Sequence, residues 1–296
     1  MLMSSAETAH RSYLFAPGSD PRVMRKALVA GADAVVLDLE DAVAAAAKAS
    51  AREEVARLLD EVDQEEGPPP ERPAVHIRIN RTISGYEQLD LDVAVHPAVE
   101  AVRLPKVEGA DDVRIVSSSI AELERLRGIP IGSITLYPTI ESAQGVLRSE
   151  AISSSDPRVA RLVIGHEDLV ADLAGRGDDS LTLLIPAAMV ALSSRSAGIG
   201  APVDGATTDI TDAEALAEAI HRARALGFFG KSAIHPRQLP AIHAGFSPSD
   251  EEIAAASRIV HEASAAPDGA LSLDGRLIDA AIVRRARGVL ELRRDL

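Results

Sequence analysis

Eight short apolar runs, separated by stretches of helical periodicity, constrain the fold of this chain more than any other feature of its sequence. Most of the runs are almost continuously apolar, which is typical of parallel strands that are buried on both faces. The predicted strands span residues 12–16, 34–39, 74–80, 101–104, 134–137, 161–165, 202–204 and 231–234. The amphipathic stretches between them include residues 22–30, 49–60, 110–127 and 212–226. Eight strands in strict alternation with helices predict an α/β fold of the TIM (β/α)8 barrel type.

The segment after Phe246 falls outside a complete barrel and is predicted to be a C-terminal helical extension. A capped helix, a hairpin or turn, and a final helix are predicted at residues 251–263, at 271–276 and from about residue 280. We therefore divide the chain into a catalytic barrel at 1–246 and an extension at 247–296. A doubly wound sheet is the alternative fold, but no Gly-x-Gly-x-x-Gly turn follows the first predicted strand.

The composition excludes several classes of function. A formal net charge of −14 argues against a nucleic-acid-binding or anionic-membrane surface, because both require basic stripes. Cysteine is absent, so neither a disulfide framework nor a thiolate metal site is available. The first residues lack the charged start and apolar stretch of a signal peptide, and no run of 18 apolar residues occurs. We expect a cytoplasmic protein with no membrane or nucleic-acid partner.

Two carboxylates, Glu141 and Asp168, each follow an apolar run of strand length and lie 27 residues apart. That spacing suits one strand–helix–strand unit, which would bring both acids to the same end of neighbouring parallel strands. A single carboxylate at a strand end is more often a helix cap or an ion-pair partner. Two of them on separate runs, in a chain without cysteine, favour a hard cation with oxygen ligands, namely Mg²⁺ or Mn²⁺.

Other polar residues also stand where predicted strands end, and in a barrel the chemistry lies at those ends. They are Asp38, Glu40, Asp41, Arg78, Asn80, Lys106, Glu108, Asp204 and His235. Arg78 offers a planar fork for a substrate carboxylate, although a buried arginine can equally have a structural partner. His235 is either a site residue or a satisfied core histidine. Near the first strand, Arg22, Arg25 and Lys26 either grip phosphates or form a solvated helix face.

The chain resembles the HpcH/HpaI aldolase superfamily, which includes citrate lyase β-subunits and malyl-CoA lyases. The resemblance runs from about Arg11 to the C-terminus and rests on eight motifs in order. They are LFAPG at 14–18, VLDLEDAV at 36–43, IRIN at 77–80, LPKVE at 104–108, IES at 140–142, GHEDL at 165–169, GKSAIHP at 230–236 and DGRLID at 274–279. It implies a TIM barrel with a C-terminal extension, assembled as a homotrimer or hexamer.

The resemblance also implies roles for individual residues. Glu141 and Asp168 take the two Mg²⁺ ligand positions, and Arg78 takes the position of the substrate-binding arginine. The remaining expected roles are acidic neighbours of the metal acting through water for Glu40 and Asp41, contacts to the CoA thioester for Phe15, Arg22, Lys26, Ile234 and His235, and catalytic acid/base in a neighbouring subunit for Asp279. The chain departs from the family at His166, where a small or hydroxyl residue is commoner, and at Ala188, where an arginine is common.

The implied activity is a Mg²⁺-dependent carbon–carbon lyase. It would cleave or form a hydroxyacyl-CoA thioester such as malyl-CoA or citryl-CoA, with glyoxylate or oxaloacetate as the 2-oxo acid and an acyl-CoA as the other product. Two alternatives stay open at this stage. One is a citrate lyase β-subunit acting on an acyl-carrier thioester, and the other is a malyl-CoA thioesterase, in which water is the second reactant.

Overall fold

The computed structural model describes residues 10–64, 72–81, 84–175, 179–265, 271–273 and 275–295. The strands of the main sheet are β1 (Ser12–Pro17), β2 (Ala34–Asp38), β3 (Ala74–Arg78), β4 (Ala101–Leu104), β5 (Thr135–Ile140), β6 (Val163–Ile164) and β7 (Lys231–Ala233). The helices up to residue 246 are α1 (Pro21–Leu28), α2 (Lys48–Gln64), α3 (Glu87–Ala94), α4 (Ala110–Arg127), α5 (Ala143–Leu147), α6 (Ser149–Ser153), α7 (His166–Asp172), α8 (Asp179–Ala197), α9 (Ala213–Leu226) and α10 (Leu239–Phe246). Strands and helices therefore alternate along the chain.

The strands form a closed barrel. Seven of them make one parallel sheet in the order β6-β5-β4-β3-β2-β1-β7. Between β6 and β7 lie Val203 and Asp204, which pair with Val163 and Lys231. Four backbone hydrogen bonds of 2.9–3.1 Å join these two residues, the closing segment, to both neighbouring strands. The closing segment supplies the eighth strand position, and the predicted TIM barrel is confirmed.

Alternation of side chains along the strands divides the core into two layers. Outward-facing residues pack aliphatic side chains against the helices, as a chain with only 2% aromatic residues requires. The barrel interior is lined by Tyr13, Ala34, Val36, Ala101, Tyr137, Val163 and Val203, with Phe15, Ala74 and Ala160 partly buried beside them. By the same alternation Asp38, Arg78 and Glu141 face the barrel axis. Because the carboxyl ends of parallel strands meet at one rim, these three residues lie at the barrel mouth.

The extension consists of α11 (Asp250–Ala265), an antiparallel hairpin of β8 (Leu271–Leu273) and β9 (Arg276–Ile278), and α12 (Ala280–Asp295). Ser249 and Glu252 form a reciprocal cap at the start of α11, with hydrogen bonds of 2.9 and 3.2 Å. Arg224 of α9 bonds Glu252 at 2.9 Å, and Leu292 packs against the outer core. The capped helix, the hairpin and the final helix agree with the sequence analysis, while the division at residue 246 stays a prediction.

Strand boundaries differ most from the predicted ones at β5 and β6. β5 runs through Pro138 to Ile140, although proline usually marks a strand end, because Pro138 lies opposite the last residue of β4. β6 is confined to Val163 and Ile164 because the chain turns into α7 immediately afterwards. Within the part of the chain that the structure describes, no helix combines the length and apolar character needed to cross a membrane.

Candidate functional site

The acidic pair identified from the sequence lies at the barrel mouth. Glu141 directly follows β5, and Asp168 lies in the first turn of α7, just after β6. β5 and β6 are paired in parallel register with Ile140 opposite Ile164, so both acids leave the sheet at the same edge. A side-chain carbon on Gly165 would overlap Oε2 of Glu141. The missing side chain at Gly165 therefore allows the chain after β6 to pass close to the Glu141 carboxylate.

Glu141 is a buried carboxylate in an acidic neighbourhood. Glu141 is 6% exposed, and its Oε1 accepts a hydrogen bond from the backbone N–H of Lys106 at 2.5 Å. Burial, together with the negative charges of Glu40 and Asp168, raises the pKa of Glu141 to about 8. A divalent cation would offset both the burial and the repulsion. Since the donors are carboxylate oxygens without a thiolate, Glu141 and Asp168 fit a hard ion such as Mg²⁺ or Mn²⁺.

Arg78 is fixed at the mouth by Asp38. Its Nε and Nη2 donate to the two carboxylate oxygens of Asp38 at 2.6 Å each, and its Nη1 lies 3.2 Å from Oε2 of Glu40. The ring of Phe15 lies against the guanidinium at 5.1 Å. These acidic partners raise the pKa of Arg78, although burial alone would lower it. Arg78 therefore has a structural partner, because Asp38 occupies the Nε–Nη2 edge. Nη1, which faces Glu40, and the second N–H of Nη2 are the donors left for a substrate, and substrate binding by Arg78 stays a prediction.

Lys106 connects the remaining acids. Its ammonium donates to Glu40 at 2.7 Å and to Asp41 at 3.2 Å, while its backbone N–H bonds Glu141. These carboxylates raise the pKa of Lys106 against the opposing effect of burial. Burial raises the pKa of Glu40 despite the positive charges of Arg78 and Lys106. Lys106 also has a φ of 53°, a left-handed conformation that a side chain disfavours.

An open cleft begins beside this charged cluster. It has a volume of about 430 Å³, which is in the range of small-molecule sites. Its walls include Glu40, Asp41, Lys48, Asn80, Tyr86 and Lys106. Asn80 is held in the wall by hydrogen bonds to the carbonyl of Leu39 and the carboxylate of Asp90 at 2.8 and 2.6 Å. The mouth therefore offers a rigid polar wall next to the acidic pair.

The residues expected to contact a CoA thioester have diverse surroundings. Arg22 and Lys26 are exposed on α1, one turn apart, and have no ion-pair partner among the described residues. Arg25, by contrast, is paired with Glu61 at 2.7 Å. Two of the three basic residues are thus available to an anionic ligand. Their contact with CoA stays a prediction, as does that of Phe15.

The loop after β7 carries the other expected contacts. Ile234 is 43% exposed, an unusual state for an isoleucine at a strand end. His235 is partly buried, and its Nδ1 accepts a hydrogen bond from the backbone N–H of Arg237 at 3.1 Å. This bond caps the short turn at Pro236–Gln238, so one ring nitrogen of His235 has a structural role. A role of Ile234 and His235 in substrate binding stays a prediction.

Asp279 lies in the extension rather than at the mouth of its own barrel. It is exposed, and its Oδ1 accepts hydrogen bonds from the backbone N–H groups of Ala281 and Ile282 at 2.9 Å each. These bonds identify Asp279 as the N-cap of α12. The structure comprises one chain, so the expected action of Asp279 in a neighbouring subunit stays a prediction.

Asp204 does not belong to the mouth, contrary to the sequence analysis. Val203 faces the barrel interior, so Asp204 faces the helices, where it bonds Lys231 at 2.5 Å and His166 at 3.0 Å. Lys231 and His166 hold the pKa of Asp204 well below its usual range, although burial alone would raise it. A cavity of only about 50 Å³ adjoins Asp204 and His166 between α8 and α9. His166, one of the positions at which the chain departs from the family, therefore lies on the outer side of the barrel that faces the helices.

Two residues of the site had no predicted role beyond their position at strand ends. Asp38 clamps Arg78, and Lys106 contacts three carboxylates. The motif at 36–41, an apolar run that ends in three acids within four residues, carries a signal for the first. No comparable signal exists for Lys106, because its contacts depend on a backbone conformation that the residue type does not predict.

Comparison with known proteins accounts for most of the chain. Residues 11–236 match the model of the HpcH/HpaI aldolase/citrate lyase family. The citrate lyase subunit beta of Haemophilus influenzae is 34% identical over 285 residues, covering 95% of this chain and 96% of that protein. The (3S)-malyl-CoA thioesterase of Cereibacter sphaeroides is 32% identical over 291 residues, covering 96% of this chain and 95% of that protein.

A solved structure shows the same architecture. Protein CitE from Mycobacterium tuberculosis, in complex with magnesium, acetoacetate and coenzyme A, superimposes with a TM-score of 0.76 at 29% identity. The match covers 96% of this chain and 98% of that chain, so it includes the extension. The family model, the relatives and the structural match agree with the ordered motifs. This chain is therefore a member of the HpcH/HpaI aldolase/citrate lyase family.

Proposed function

We propose that this protein is a Mg²⁺-dependent carbon–carbon lyase that cleaves or forms a hydroxyacyl-CoA thioester such as malyl-CoA or citryl-CoA. The observation that carries the proposal is the Glu141–Asp168 pair at the barrel mouth. Lys106 and Glu40 connect this pair to Arg78 and to an open cleft. A protein of this family, CitE from Mycobacterium tuberculosis, has been crystallised with magnesium, acetoacetate and coenzyme A. Magnesium and coenzyme A are both ligands that the proposed reaction requires.

Glu141 and Asp168 would hold Mg²⁺, with Mn²⁺ as a substitute, and such an ion supplies Lewis-acid polarisation of a substrate oxygen when bound. Around that position the chain places positive charge that is already oriented. Arg78 is locked by Asp38 and directs Nη1 toward Glu40, so it can stabilise negative charge without reorganising. Asp38, which is 1% exposed, acts as a positioning residue for this guanidinium.

In the cleavage direction, the bond between the thioester α-carbon and the hydroxyl-bearing carbon breaks, and its electron pair passes to the thioester as an enolate. The hydroxyl oxygen becomes the oxo group of glyoxylate or oxaloacetate, and its proton leaves through water to the Glu40–Asp41 pair. Asp279 of a neighbouring subunit then protonates the α-carbon and yields the acyl-CoA. Condensation follows the reverse path. A lid formed by the extension would keep bulk water from the enolate.

Two other activities are supported by named relatives. Similarity to the Cereibacter sphaeroides thioesterase favours hydrolysis of malyl-CoA, in which water attacks the thioester carbonyl and free malate is released. Similarity to the Haemophilus influenzae subunit favours a β-subunit that acts on an acyl-carrier thioester. The products separate the thioesterase from the two lyases, because only the lyases release a 2-oxo acid. The carrier of the acyl group, CoA or an acyl-carrier protein, separates the two lyases.

The test is a panel of malyl-CoA, methylmalyl-CoA and citryl-CoA, with products identified by mass spectrometry. We expect glyoxylate or oxaloacetate plus an acyl-CoA, activity loss in EDTA and recovery on addition of Mg²⁺. Glu122→Gln, which changes an exposed acid on α4, is the matched control for Glu141→Gln. Free malate without glyoxylate would replace the lyase assignment by the thioesterase, and failure of the whole panel with turnover of acyl-carrier substrates would support the subunit role.

We further propose that the protein acts in the cytoplasm as a homotrimer or hexamer in which Asp279 completes the site of a neighbour. Mixing two inactive variants, Glu141→Gln and Asp279→Asn, tests this arrangement. Co-assembled subunits would contain some sites with both native residues, so part of the activity should return. No return of activity in demonstrably mixed oligomers would contradict action between subunits.

A further inference from the structure

Arg103 is a cation enclosed in the barrel interior, away from the acids of the mouth. It belongs to β4 and is 1% exposed. Its guanidinium centre lies 4.3 Å from the ring centroid of Tyr13 and 4.8 Å from that of Tyr137, so two aromatic faces enclose it. The rings attract the positive charge but accept no strong hydrogen bonds. The N–H groups of Arg103 must therefore find hydrogen-bond acceptors in the plane of the guanidinium.

The hydrogen bonds of Arg103 are incomplete. Its Nε donates to Nδ1 of His76 at 3.3 Å, whereas Nη1 and Nη2 are buried and have no hydrogen-bond partner among the described residues. Arg158, another buried arginine, bonds both carboxylate oxygens of Glu124 at 2.9 and 2.5 Å and a backbone carbonyl at 2.9 Å. Leaving charged donors unsatisfied in a protein interior is strongly unfavourable. Some acceptor that the described part of the chain does not supply should meet Nη1 and Nη2.

The surrounding charges favour an anion as that acceptor. Burial and the positive charges of Arg161 and Arg78 lower the pKa of Arg103 to about 10, and none of its described contacts is a carboxylate. The charge of Arg78 is matched by Asp38. Glu100 is the nearby acid on the other side, but its Oε1 bonds His10 at 2.9 Å and His76 at 3.1 Å. The interior around Arg103 is thus electropositive.

A metal ion bound by the neighbouring His10–His76–Glu100 cluster is not an alternative to an anion bound by Arg103. The three residues could supply ligand atoms within 4.8 Å of one another. However, the N–H of Arg103 Nε donates to Nδ1 of His76, which assigns the proton of that neutral ring to Nε2. Nε2 then donates to Glu100 and has no lone pair for a cation. The cluster is therefore satisfied by its own hydrogen bonds.

The interior layer that contains Arg103 includes several small side chains. Ala34, Ala74, Ala101 and Ala160 contribute small side chains to this layer, and Ala74 and Ala160 are only partly buried. We propose that the barrel interior binds a small monovalent anion, of the size of chloride, on Nη1 and Nη2 of Arg103.

The native protein provides the first test, in EDTA and at constant ionic strength. Replacing gluconate by chloride or bromide should raise the melting temperature by roughly 2–5 °C, because a ligand that binds only the folded state stabilises it. A crystal grown in bromide should show an anomalous peak within contact distance of Nη1 and Nη2. Equal melting temperatures in gluconate and halide, or density at this position without an anomalous signal, would overturn the proposal in favour of bound water.

Two variants make the test specific. Arg103→Met keeps much of the side-chain volume but removes the guanidinium, and the dependence of the melting temperature on halide should disappear. Arg158→Met removes a buried arginine whose partners are all in the chain, so it should be less stable yet keep the native halide dependence. Loss of that dependence in both variants, or retention in both, would contradict a site on Arg103. If Arg103→Met does not fold, the bromide crystal of the native protein decides the question.

Discussion

At the scale of single residues, the mouth combines a buried acid that resists ionisation with a lysine that contacts three acids. Glu141 is raised in pKa by burial and by its acidic neighbours. Lys106, whose own backbone is strained, partly offsets that repulsion with its positive charge. Each of these residues therefore raises or lowers the unfolding free energy, and the direction of that change can be measured separately from activity.

Replacing Glu141 by Gln should stabilise the metal-free protein at alkaline pH. The folded chain keeps the proton of Glu141 up to about pH 8, while the unfolded chain releases it near the ordinary value of 4.5. The stability of the native protein therefore falls as pH rises between these values, and the Gln variant lacks this fall. We expect similar unfolding free energies near pH 5 and a gain on the order of 2–4 kcal/mol for the variant at pH 9. Urea denaturation in EDTA measures both, and a pH-independent difference would refute the assignment.

Lys106→Gly should be more stable than Lys106→Met, whereas a change to glycine is usually the more destabilising of the two. Both remove the ammonium that lies 2.7 Å from Glu40, and each should lose about 1–3 kcal/mol of unfolding free energy. Glycine, however, adopts the φ of 53° without strain, which should recover about 1 kcal/mol relative to methionine. Chemical denaturation of the pair checks this, and a less stable Gly variant would show that the backbone at this position is not strained. Lys106→Arg, which keeps a positive charge, is the control for the ion pair.

At the scale of secondary-structure elements, the sequence predicted all eight strand positions because most buried parallel strands are almost continuously apolar. It also predicted that the acids following β5 and β6 would be neighbours, since consecutive parallel strands joined by a helix usually lie side by side and end at the same edge. The direction of Asp204 could not be predicted, because a one-residue shift in the short closing segment reverses which face a side chain occupies. The clamp between Asp38 and Arg78 was likewise hidden, since it joins residues 40 positions apart on adjacent strands.

Asp279 allows a structural role in an element to be separated from a chemical one. As the N-cap of α12 it accepts two backbone hydrogen bonds, which asparagine can also accept and alanine cannot. Asp279→Asn should therefore unfold at nearly the native denaturant concentration, whereas Asp279→Ala should lose about 1 kcal/mol. If Asp279 is also the catalytic acid, both variants should lose turnover to a similar extent. Native turnover in Asp279→Asn would leave only the capping role.

At the scale of the whole molecule, the acidic pair couples metal binding to the stability of the barrel. Glu141 and Asp168 follow different strands, so an ion held by both would join β5 to the start of α7. Mg²⁺ at about 100 times its dissociation constant should add about 2.7 kcal/mol to the unfolding free energy. Thermal denaturation with Mg²⁺ and with Na⁺ at equal ionic strength measures this, because a net charge of −14 makes any salt stabilising. An equal rise in Glu141→Gln would show that the ion binds elsewhere.

The closing segment has a consequence for how the barrel moves. Val203 and Asp204 hold the ring shut through four backbone hydrogen bonds, whereas β1 and β2 are paired along five residues. The barrel is thus closed by a short pairing, and the bonds from Asp204 to Lys231 and His166 reinforce the closing segment on its outer face. Amide protons of Val203 and Asp204 should exchange with deuterium sooner than those of Val35 and Val36 on β2. Because Asp168 lies in the helix that directly follows β6, brief opening of the closing segment would loosen the start of α7 without unfolding the rest of the barrel.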